Sequence, residues 1–376
     1  MKKIKIVHCA DIHFDTPFRD VQEKQSKINK EELKEVFNNI INFCIDKSVD
    51  IFLLAGDIFD NYTINKETIY FIENSFKKLE RTRVFISPGN HDPYSESSFY
   101  KLIKWPSNVY VFKGQLEKVY IKEFDINIWG AAFNNTYEKN SLLSGFSYDD
   151  DKINIMVLHG EISKSKLGNE YNPITIEEIQ NTHMDYIALG HRHNFSGINK
   201  IGKTFYSYSG CPQGRGFDEL GNKGIVYGYI SKGNADLKFV KTSKRNYLEK
   251  RIDISNAFGY EEVKTIIINS ISEEDRKKNL YKIVLVGEIN GDFNIDENLL
   301  WEKIKGDFYY CKVKDKTSVK YDIEEISKGF SIKGLFVKKL MNELNEANAE
   351  EEEIIKIALK LGIKSLSDWE VRINDY

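Results

Sequence analysis

Five short motifs in this 376-residue chain gather side chains that bind metal ions or move protons. They are Asp11-x-His13, Gly56-Asp57, Gly89-Asn90-His91-Asp92, His159-Gly160 and Gly190-His191-x-His193. Each follows a short apolar run that reads as a β-strand, so each falls at a strand's C-terminal end. In parallel sheets those ends share one edge, and residues distant in sequence converge in one crevice. Polar groups placed directly after runs as apolar as IFLLA or YIALG face a steep desolvation cost unless they reach solvent or bind something. Asp11, His13, Asp57, Asn90, His159, His191 and His193 together offer more oxygen and nitrogen ligands than one tetrahedral zinc can use. Two ions fit better; such ions sit roughly 3.5 to 4 Å apart and share a carboxylate, for which Asp57 is the natural candidate. A single D-x-H or G-D would carry little, because a lone strand-end histidine is more often a capped loop residue. The ordered set carries the reading. His8 and His183 lack a partner motif and read as structural, and Asp15 and Asp60 fall between the two classes.

The elements that must position these residues follow from the hydrophobic periods. A strand is expected over 3–9, and then Leu33, Val36, Phe37, Ile40, Ile41 and Cys44 fall on one helix face. The run after Asp50 reads as a fully buried strand, and Ile69, Ile72, Phe76 and Leu79 mark a second helix before a strand over 83–87. This β-α-β-α-β order implies parallel pairing. From about 107 the chain turns strand-rich, with runs over 109–112, 116–121, 126–131, 153–158, 186–189, 205–208 and 224–230. Their unalternated hydrophobicity demands burial on both faces, which two sheets packed together with helices outside would provide. The expected fold is therefore α/β: a two-sheet β-sandwich flanked by helices over 1–250. A small α+β capping module over 251–328 and a helical tail over 329–376 are expected to follow. In the tail, Phe336, Leu340, Leu344 and Ala347 form one stripe, and a second helix begins at Glu350 to Glu353 and is expected to stop at Gly362.

Composition narrows the class. With 41% hydrophobic and 30% charged residues and only 6 prolines, a wholly disordered or collagen-like chain is excluded. No apolar run approaches the roughly 18 to 20 residues of a spanning helix, so no membrane association is expected. The N-terminal lysines are followed at once by a strand pattern and His8, Asp11 and His13, which reads as a first strand rather than an export signal. Cys9, Cys44, Cys211 and Cys311 show no C-x-x-C spacing and read as reduced thiols of a cytoplasmic protein. The net charge of −3 points to neither nucleic acid nor membrane, but the last third is more acidic than the rest, which suits a change of module near residue 250.

The ordered set DIH, GDIFD, GNHD, LHG and GHRH resembles the calcineurin-like metallophosphoesterase superfamily, whose fold is a β-sandwich flanked by helices. Within it, the opening HCADIHFDTPF, the GHRH pair and the later SGCPQGR stretch are similar to the SbcD-type DNA-repair nuclease subunits, nearest to the bacterial YhaO branch. The likeness covers about residues 5 to 215; beyond that only the layout matches. It implies that Asp11, His13, Asp57 and His193 hold one metal and that Asp57, Asn90, His159 and His191 hold the other. It also implies that His91 is no ligand but the group that protonates or stabilises the leaving oxygen, with Asp92 fixing its orientation. Two divalent ions are implied; mixed O/N ligands without Cys suit manganese, with zinc and iron also fitting. The implied reaction is two-metal phosphodiester hydrolysis of DNA, as a 3′ to 5′ exonuclease and/or a single-strand endonuclease.

Departures from the wider superfamily matter equally. Asn61 stands where phosphoprotein phosphatases carry a phosphate-binding Arg, and Asp92 where they carry Glu, which disfavours that branch. Asp60 stands where archaeal and eukaryotic nuclease relatives have His. The stretch SGCPQGRGFDELGNKG reads first as a hairpin with glycine turns at 214, 216 and 221, although Arg215 could bind a DNA phosphate. Lys164, Lys166, Lys200 and Lys203 are scattered enough to be solvated surface rather than a basic path. The resemblance further implies a homodimer and docking of the tail on the coiled-coil root of an SbcC-like ATPase; the plainer alternative is that the Phe336 stripe and a second one, Ile354, Ile355, Ala358 and Leu361, both pack at home. A small-molecule phosphodiesterase or nucleotidase of the same superfamily is the competing function, disfavoured by the C-terminal module. A scaffold that had kept only the fold should have lost ligands, and none is lost.

Overall fold

The computed structural model describes residues 2–60, 64–164, 168–255, 257–290, 293–320 and 322–367. Asn61 and Lys166, singled out above, lie outside the described residues. The chain divides after Leu248 into two compact units.

In the first unit, β1 (Ile4–Cys9), α1 (Glu23–Asp46), β2 (Ile51–Leu54), α2 (Lys66–Lys77), β3 (Arg83–Ile86) and β4 (Val109–Val111) follow the expected alternation. Then come β5 (Glu117–Ile121), β6 (Ile126–Gly130), β7 (Ile153–His159), α3 (Ile176–Asn181), β8 (Tyr186–Gly190), β9 (Asn199–Ile201), β10 (Thr204–Tyr208), β11 (Gly224–Ser231) and β12 (Asn234–Lys241). Two six-stranded sheets result, in the orders β12-β11-β1-β2-β3-β4 and β5-β6-β7-β8-β10-β9. Strands β1 to β4 run parallel to one another, as do β6, β7, β8 and β10, so the motif-bearing ends do lie along common edges.

The alternation of side chains explains why the strands read as unbroken apolar runs. Ile6, Ile51, Leu53 and Phe85 point inward to a shared core with Ile128, Ile155, Val157 and Ala188 of the second sheet. Their neighbours Val7, Phe52, Leu54, Val84 and Ile86 point outward and are covered by Val36, Phe37, Ile40, Ile72 and Phe76 of α1 and α2. On the far side of the second sheet, Met156, Leu158, Ile187 and Leu189 are covered by Ile179 of α3 and by Leu143 and Ile174. Both faces of each central strand are thus dry, and alternation would have exposed nothing. His8 is the polar exception in β1: its ring is buried between Tyr186 Oη at 2.9 Å and the Leu189 carbonyl at 3.2 Å, and burial pushes its pKa down to about 3. This is the structural role expected of it.

One expectation fails here. The SGCPQGRGFDELGNKG stretch is not a hairpin, because β10 belongs to the second sheet and β11 to the first. It is a crossover that passes the site edge. Strands β9 and β12 are likewise not announced by the sequence pattern; both are short or alternately exposed edge strands with weak hydrophobic signals.

Strand β13 (Tyr247–Asp253) begins just before the division, and the second unit continues with α4 (Tyr260–Asn269), α5 (Glu273–Lys278), β14 (Leu280–Val286), β15 (Glu288–Asn290), α6 (Glu297–Ile304), β16 (Tyr310–Asp315) and β17 (Ser318–Lys320). A three-stranded sheet, β13-β14-β16, forms its centre. Helices α7 (Ile323–Lys328), α8 (Ile332–Glu346) and α9 (Ala349–Ser367) follow and share a small core of Val337, Leu359 and Ile363 with Phe336 and Leu340 packed against it. Helix α9 does not stop at Gly362. A side chain there would come within 2.1 Å of Phe336, so the glycine gives the α8 ring room instead of ending the helix. Among the described residues no helix is long and apolar enough to cross a membrane.

Candidate metal centre

The loops after β1 and β2 are zipped together by backbone bonds from Asp11 N to Gly56 O (3.1 Å) and from His13 N to Asp57 O (2.9 Å). Both loops turn sharply: Asp11, His13 and Asp57 adopt φ of 53°, 53° and 52°, and His191 adopts 107°. Left-handed backbone at non-glycine residues is strained and persists only where surroundings over-determine it, a pattern that clusters at functional sites. Glycines make the convergence possible. A Cβ on Gly89 would lie 2.2 Å from Asp57 Oδ1, and one on Gly190 would lie 1.7 Å from the Ala55 carbonyl oxygen.

All seven expected ligand residues are brought together. Asp57 Oδ2 lies 3.7 Å from His13 Nε2 and 3.4 Å from His159 Nε2, while its Oδ1 accepts from the His91 amide at 2.9 Å. Ligand atoms of Asp11, His13 and His193 fall within 4.8 Å of one another, as do those of Asp11, Asp57 and His159. Asn90 Oδ1 lies 2.8 Å from His159 Nε2 and 3.2 Å from His191 Nδ1. Asp11 is common to these two groups, and Asp57 faces a histidine of each, His13 and His159.

The chemistry of these atoms tests whether cations fit. His13 Nε2 is buried with no hydrogen-bond partner among the described residues, a state that costs free energy unless something binds it. His159 Nδ1 lies 2.9 Å from the Ala55 carbonyl and must donate to it. Its Nε2 faces Asn90 Oδ1 at 2.8 Å and Asp57 Oδ2 at 3.4 Å, so nitrogen and oxygen ligand atoms of three residues crowd onto one buried point. A divalent cation relieves that arrangement, so the donor set fits the implied metals.

Burial sets the electrostatics. It pushes Asp11 up, against the pull of His193 and His159. For Asp57, burial also acts upward, but His159, His13 and His91 together outweigh it and hold the carboxyl below the usual carboxylate range. Burial, then the Arg215 charge, pushes His13 well down, and burial, then His159, lowers His191 to about 3. His193 runs the other way: burial lowers it, but the hydrogen bond to Glu219 and the Asp11 charge raise it overall.

His91 differs from the buried histidines, although ligand atoms of His13, Asp60 and His91 also fall within 4.8 Å of one another. Its side chain is 44% exposed, whereas those of His13 and His159 are fully buried, and its ring meets His13 edge to face at 4.7 Å. A cavity of about 540 Å³ opens beside it, lined by Phe18, Arg19, Asp20, Asp60, Arg215 and Asp218 among others. A cavity of about 750 Å³ around Ser48, Asp50, Thr82 and Arg83 contains none of the motif residues, so size alone does not mark the site.

The expectation that Asp92 orients His91 is corrected by the structure. Asp92 is buried, and its carboxylate accepts from the amides of Gly89 (2.7 Å), Asp57 (3.3 Å), Ile58 (2.7 Å) and Phe59 (3.1 Å) and from Tyr100 Oη (2.6 Å). Among the described residues it makes no hydrogen bond or ion pair with the His91 ring. Its work is to hold the loop that carries Asp57. The group facing His91 Nδ1 is Asp60, through its carbonyl at 3.2 Å and its Oδ1 at 3.6 Å. Asp60 also meets His13 Nδ1 at 3.0 Å.

Arg215 reaches the site, but its guanidinium is engaged by Glu219 and lies 3.1 Å from His193 Nδ1 and 3.5 Å from Asp60 Oδ1. Glu219 and the buried Lys223 escape a reading of the sequence. They sit in the crossover loop and just before β11, at no motif spacing, and no local signal announces them. Lys164, Lys200 and Lys203 are exposed, as expected of solvated surface.

Residues 4–195 match the family described as Calcineurin-like phosphoesterase. The metallophosphoesterase YhaO of Bacillus subtilis is 27% identical over 264 residues, covering 68% of this chain and 64% of that protein. The chain thus spans less than two thirds of that relative's length. The SbcD component of the SbcCD nuclease of Staphylococcus epidermidis is 24% identical over 351 residues, covering 80% of this chain and 89% of that protein. Among solved structures, the protein TT1561 of Thermus thermophilus aligns with 64% of this chain and 99% of its own length at 10% identity and a TM-score of 0.38.

Proposed function

The chain belongs to the calcineurin-like phosphoesterase family, and on that premise we propose that it is a metal-dependent DNA nuclease, hydrolysing phosphodiesters as a 3′ to 5′ exonuclease and/or on single strands. Asp11, His13, Asp57 and His193 would hold one divalent ion and Asp57, Asn90, His159 and His191 the other, with manganese the expected metal. When bound, such ions supply a nucleophile from water at neutral pH and neutralise charge on the phosphoryl oxygens.

The chain's own residues do the rest. Asp57 keeps its charge because histidines surround it, which makes it a standing anion for two cations. Asp92 and its donors fix that carboxylate's loop. His91, the most exposed imidazole of the set next to the cavity, has its Nδ1 against Asp60 and its Nε2 available to give a proton to the leaving oxygen. The observation that carries the reading is the buried convergence of Asp57 Oδ2, Asn90 Oδ1 and His159 Nε2 beside the unpartnered His13 Nε2.

DNA as substrate is supported by the alignment with the SbcCD nuclease component, which extends well past the family's domain. A second reading, hydrolysis of small phosphodiesters or nucleotides, is favoured by the cavity beside His91, whose acids Asp20, Asp60, Asp218 and Glu219 outnumber Arg19 and Arg215 and would repel a long polyanion. A manganese-supported assay on single-stranded DNA, duplex ends and bis-p-nitrophenyl phosphate separates them. Cleavage of DNA is the expected result; cleavage of the small diester alone would transfer the assignment to the second reading.

We further propose that the protein works in the cytoplasm as a homodimer with a coiled-coil ATPase like SbcC, docked through the tail over 329–376, with 251–328 as a separate module. Phe330, Ile332 and Leu335 stand exposed in that tail and support a partner there. Removal of residues 330–376 should leave small-diester hydrolysis intact and abolish capture of the ATPase.

A further inference from the structure

Two histidines of one metal position are each held from behind by a carboxylate. His13 Nδ1 lies 3.0 Å from Asp60 Oδ1, and His193 Nδ1 lies 2.7 Å from Glu219 Oε1. A carboxylate against Nδ1 keeps the proton on that nitrogen and leaves the lone pair on Nε2, where a metal can take it. The unpartnered Nε2 of His13 is the visible result.

Arg215 joins the two carboxylates. Its Nε and Nη2 lie 3.0 and 2.6 Å from Glu219 Oε1, its backbone amide donates to Glu219 Oε2 at 2.8 Å, and its Nη1 lies 3.5 Å from Asp60 Oδ1. Arg215 Nη2 is also 3.1 Å from His193 Nδ1, so guanidinium and imidazole share Oε1 as acceptor. Glu219 is only 3% exposed, and Lys223, 2% exposed, donates to the His193 carbonyl at 3.0 Å and to the Asn194 side chain. His193 is therefore fixed through both ring and backbone. Behind His159, by contrast, stands a backbone carbonyl, and beside His191 the carboxylate of Glu161 stands off at 3.5 Å and is engaged by the half-exposed Arg192.

We propose that Arg215 and Glu219 are positioning residues that hold His193 in its Nδ1-protonated form and so set the affinity of one metal position, the one shared with Asp11 and His13, while the other position is independent of them. This deepens the two-metal reading and rests on it. It also removes Arg215 from the role of phosphate ligand, because its donors already point at Glu219 and Asp60.

The test is manganese uptake by metal-free protein, followed by the electron paramagnetic resonance signal of free ion and by elemental analysis, with thermal melting alongside. Wild type should take up two ions. Glu219→Ala should keep one ion at near wild-type affinity and bind the other roughly 10- to 100-fold more weakly, the usual effect of losing a group behind a ligating histidine. Glu219→Gln, whose amide oxygen still accepts from Nδ1–H, should recover most of that loss, which a merely structural role would not produce. Arg215→Gln should weaken the same single ion. Two ions bound by Glu219→Ala as tightly as by wild type would overturn the proposal, and so would a parallel loss of both ions in the Gln variants with unchanged melting. Uptake of fewer than two ions by wild type would instead remove the two-metal reading, and the proposal with it.

Discussion

Replacing Asp92 with asparagine leaves the packing volume almost unchanged but converts one acceptor oxygen into a donor. The carboxylate receives two amides on Oδ1, from Asp57 and Gly89, and two amides and the Tyr100 hydroxyl on Oδ2, from Ile58, Phe59 and Tyr100. With the amide oxygen turned to the Oδ2 side, the Asp57 and Gly89 amides face an NH2 group and lose their acceptor. Each buried donor left unsatisfied costs about 1 to 3 kcal/mol, so the gross loss is about 2 to 6 kcal/mol. Part is offset, since burial and then the Asp57 charge push the Asp92 carboxyl up to about 7, and a neutral amide escapes that desolvation. A net loss of about 2 to 4 kcal/mol corresponds to roughly 4 to 16 °C in the melting of a unit this size. Because the stranded amide of Asp57 belongs to the central metal-binding residue, manganese affinity should fall with it. Differential scanning calorimetry and manganese titration of the metal-free variant measure both. A variant that melts and binds manganese like wild type while losing turnover would refute the argument and restore Asp92 to the role of orienting His91.

Asp57→Ala should remove both ions and all phosphodiesterase activity, because this carboxylate touches both ligand groups; elemental analysis showing one ion retained at full occupancy would break the shared-ligand assignment. His91→Ala should lower turnover by roughly 10² to 10⁴ while leaving metal content unchanged, and loss of an ion in that variant would make His91 a ligand. Gly190→Ala would set a methyl 1.7 Å from the Ala55 carbonyl oxygen and 2.9 Å from His159 Nδ1. The ends of β8 and β2 must then separate, at a cost of about 1 to 3 kcal/mol, and a ligand shift of the order of 1 Å lowers turnover about 100-fold. Wild-type melting and rate in that variant would mean the two sheet edges are free to move apart.

What the sequence determined by itself was whatever depends on neighbours in the chain. Unalternated runs such as IFLLA and YIALG required strands dry on both faces, and helical periods between them required parallel pairing. Together those two facts put Asp11, Asp57 and Asn90 at the strand ends of one sheet and His159 and His191 at those of the other, and the structure has the two sets within hydrogen-bonding reach. What only the tertiary structure decided was which polar group faces which. Asp92 follows His91 directly in sequence, yet its carboxylate turns into the core toward amides more than thirty residues earlier, because those donors would otherwise be buried unpaired. The partner of His91 is instead Asp60, and the group behind His193 is Glu219, reached only because the stretch after β10 crosses to the other sheet and does not fold back as a hairpin. Gly362 likewise read as a helix stop and proved to be a seat for Phe336. Hydrophobic periodicity is local and survives in the sequence; the pairing of buried donors and acceptors is set by distances through space, and those exist only after the two sheets have closed on each other.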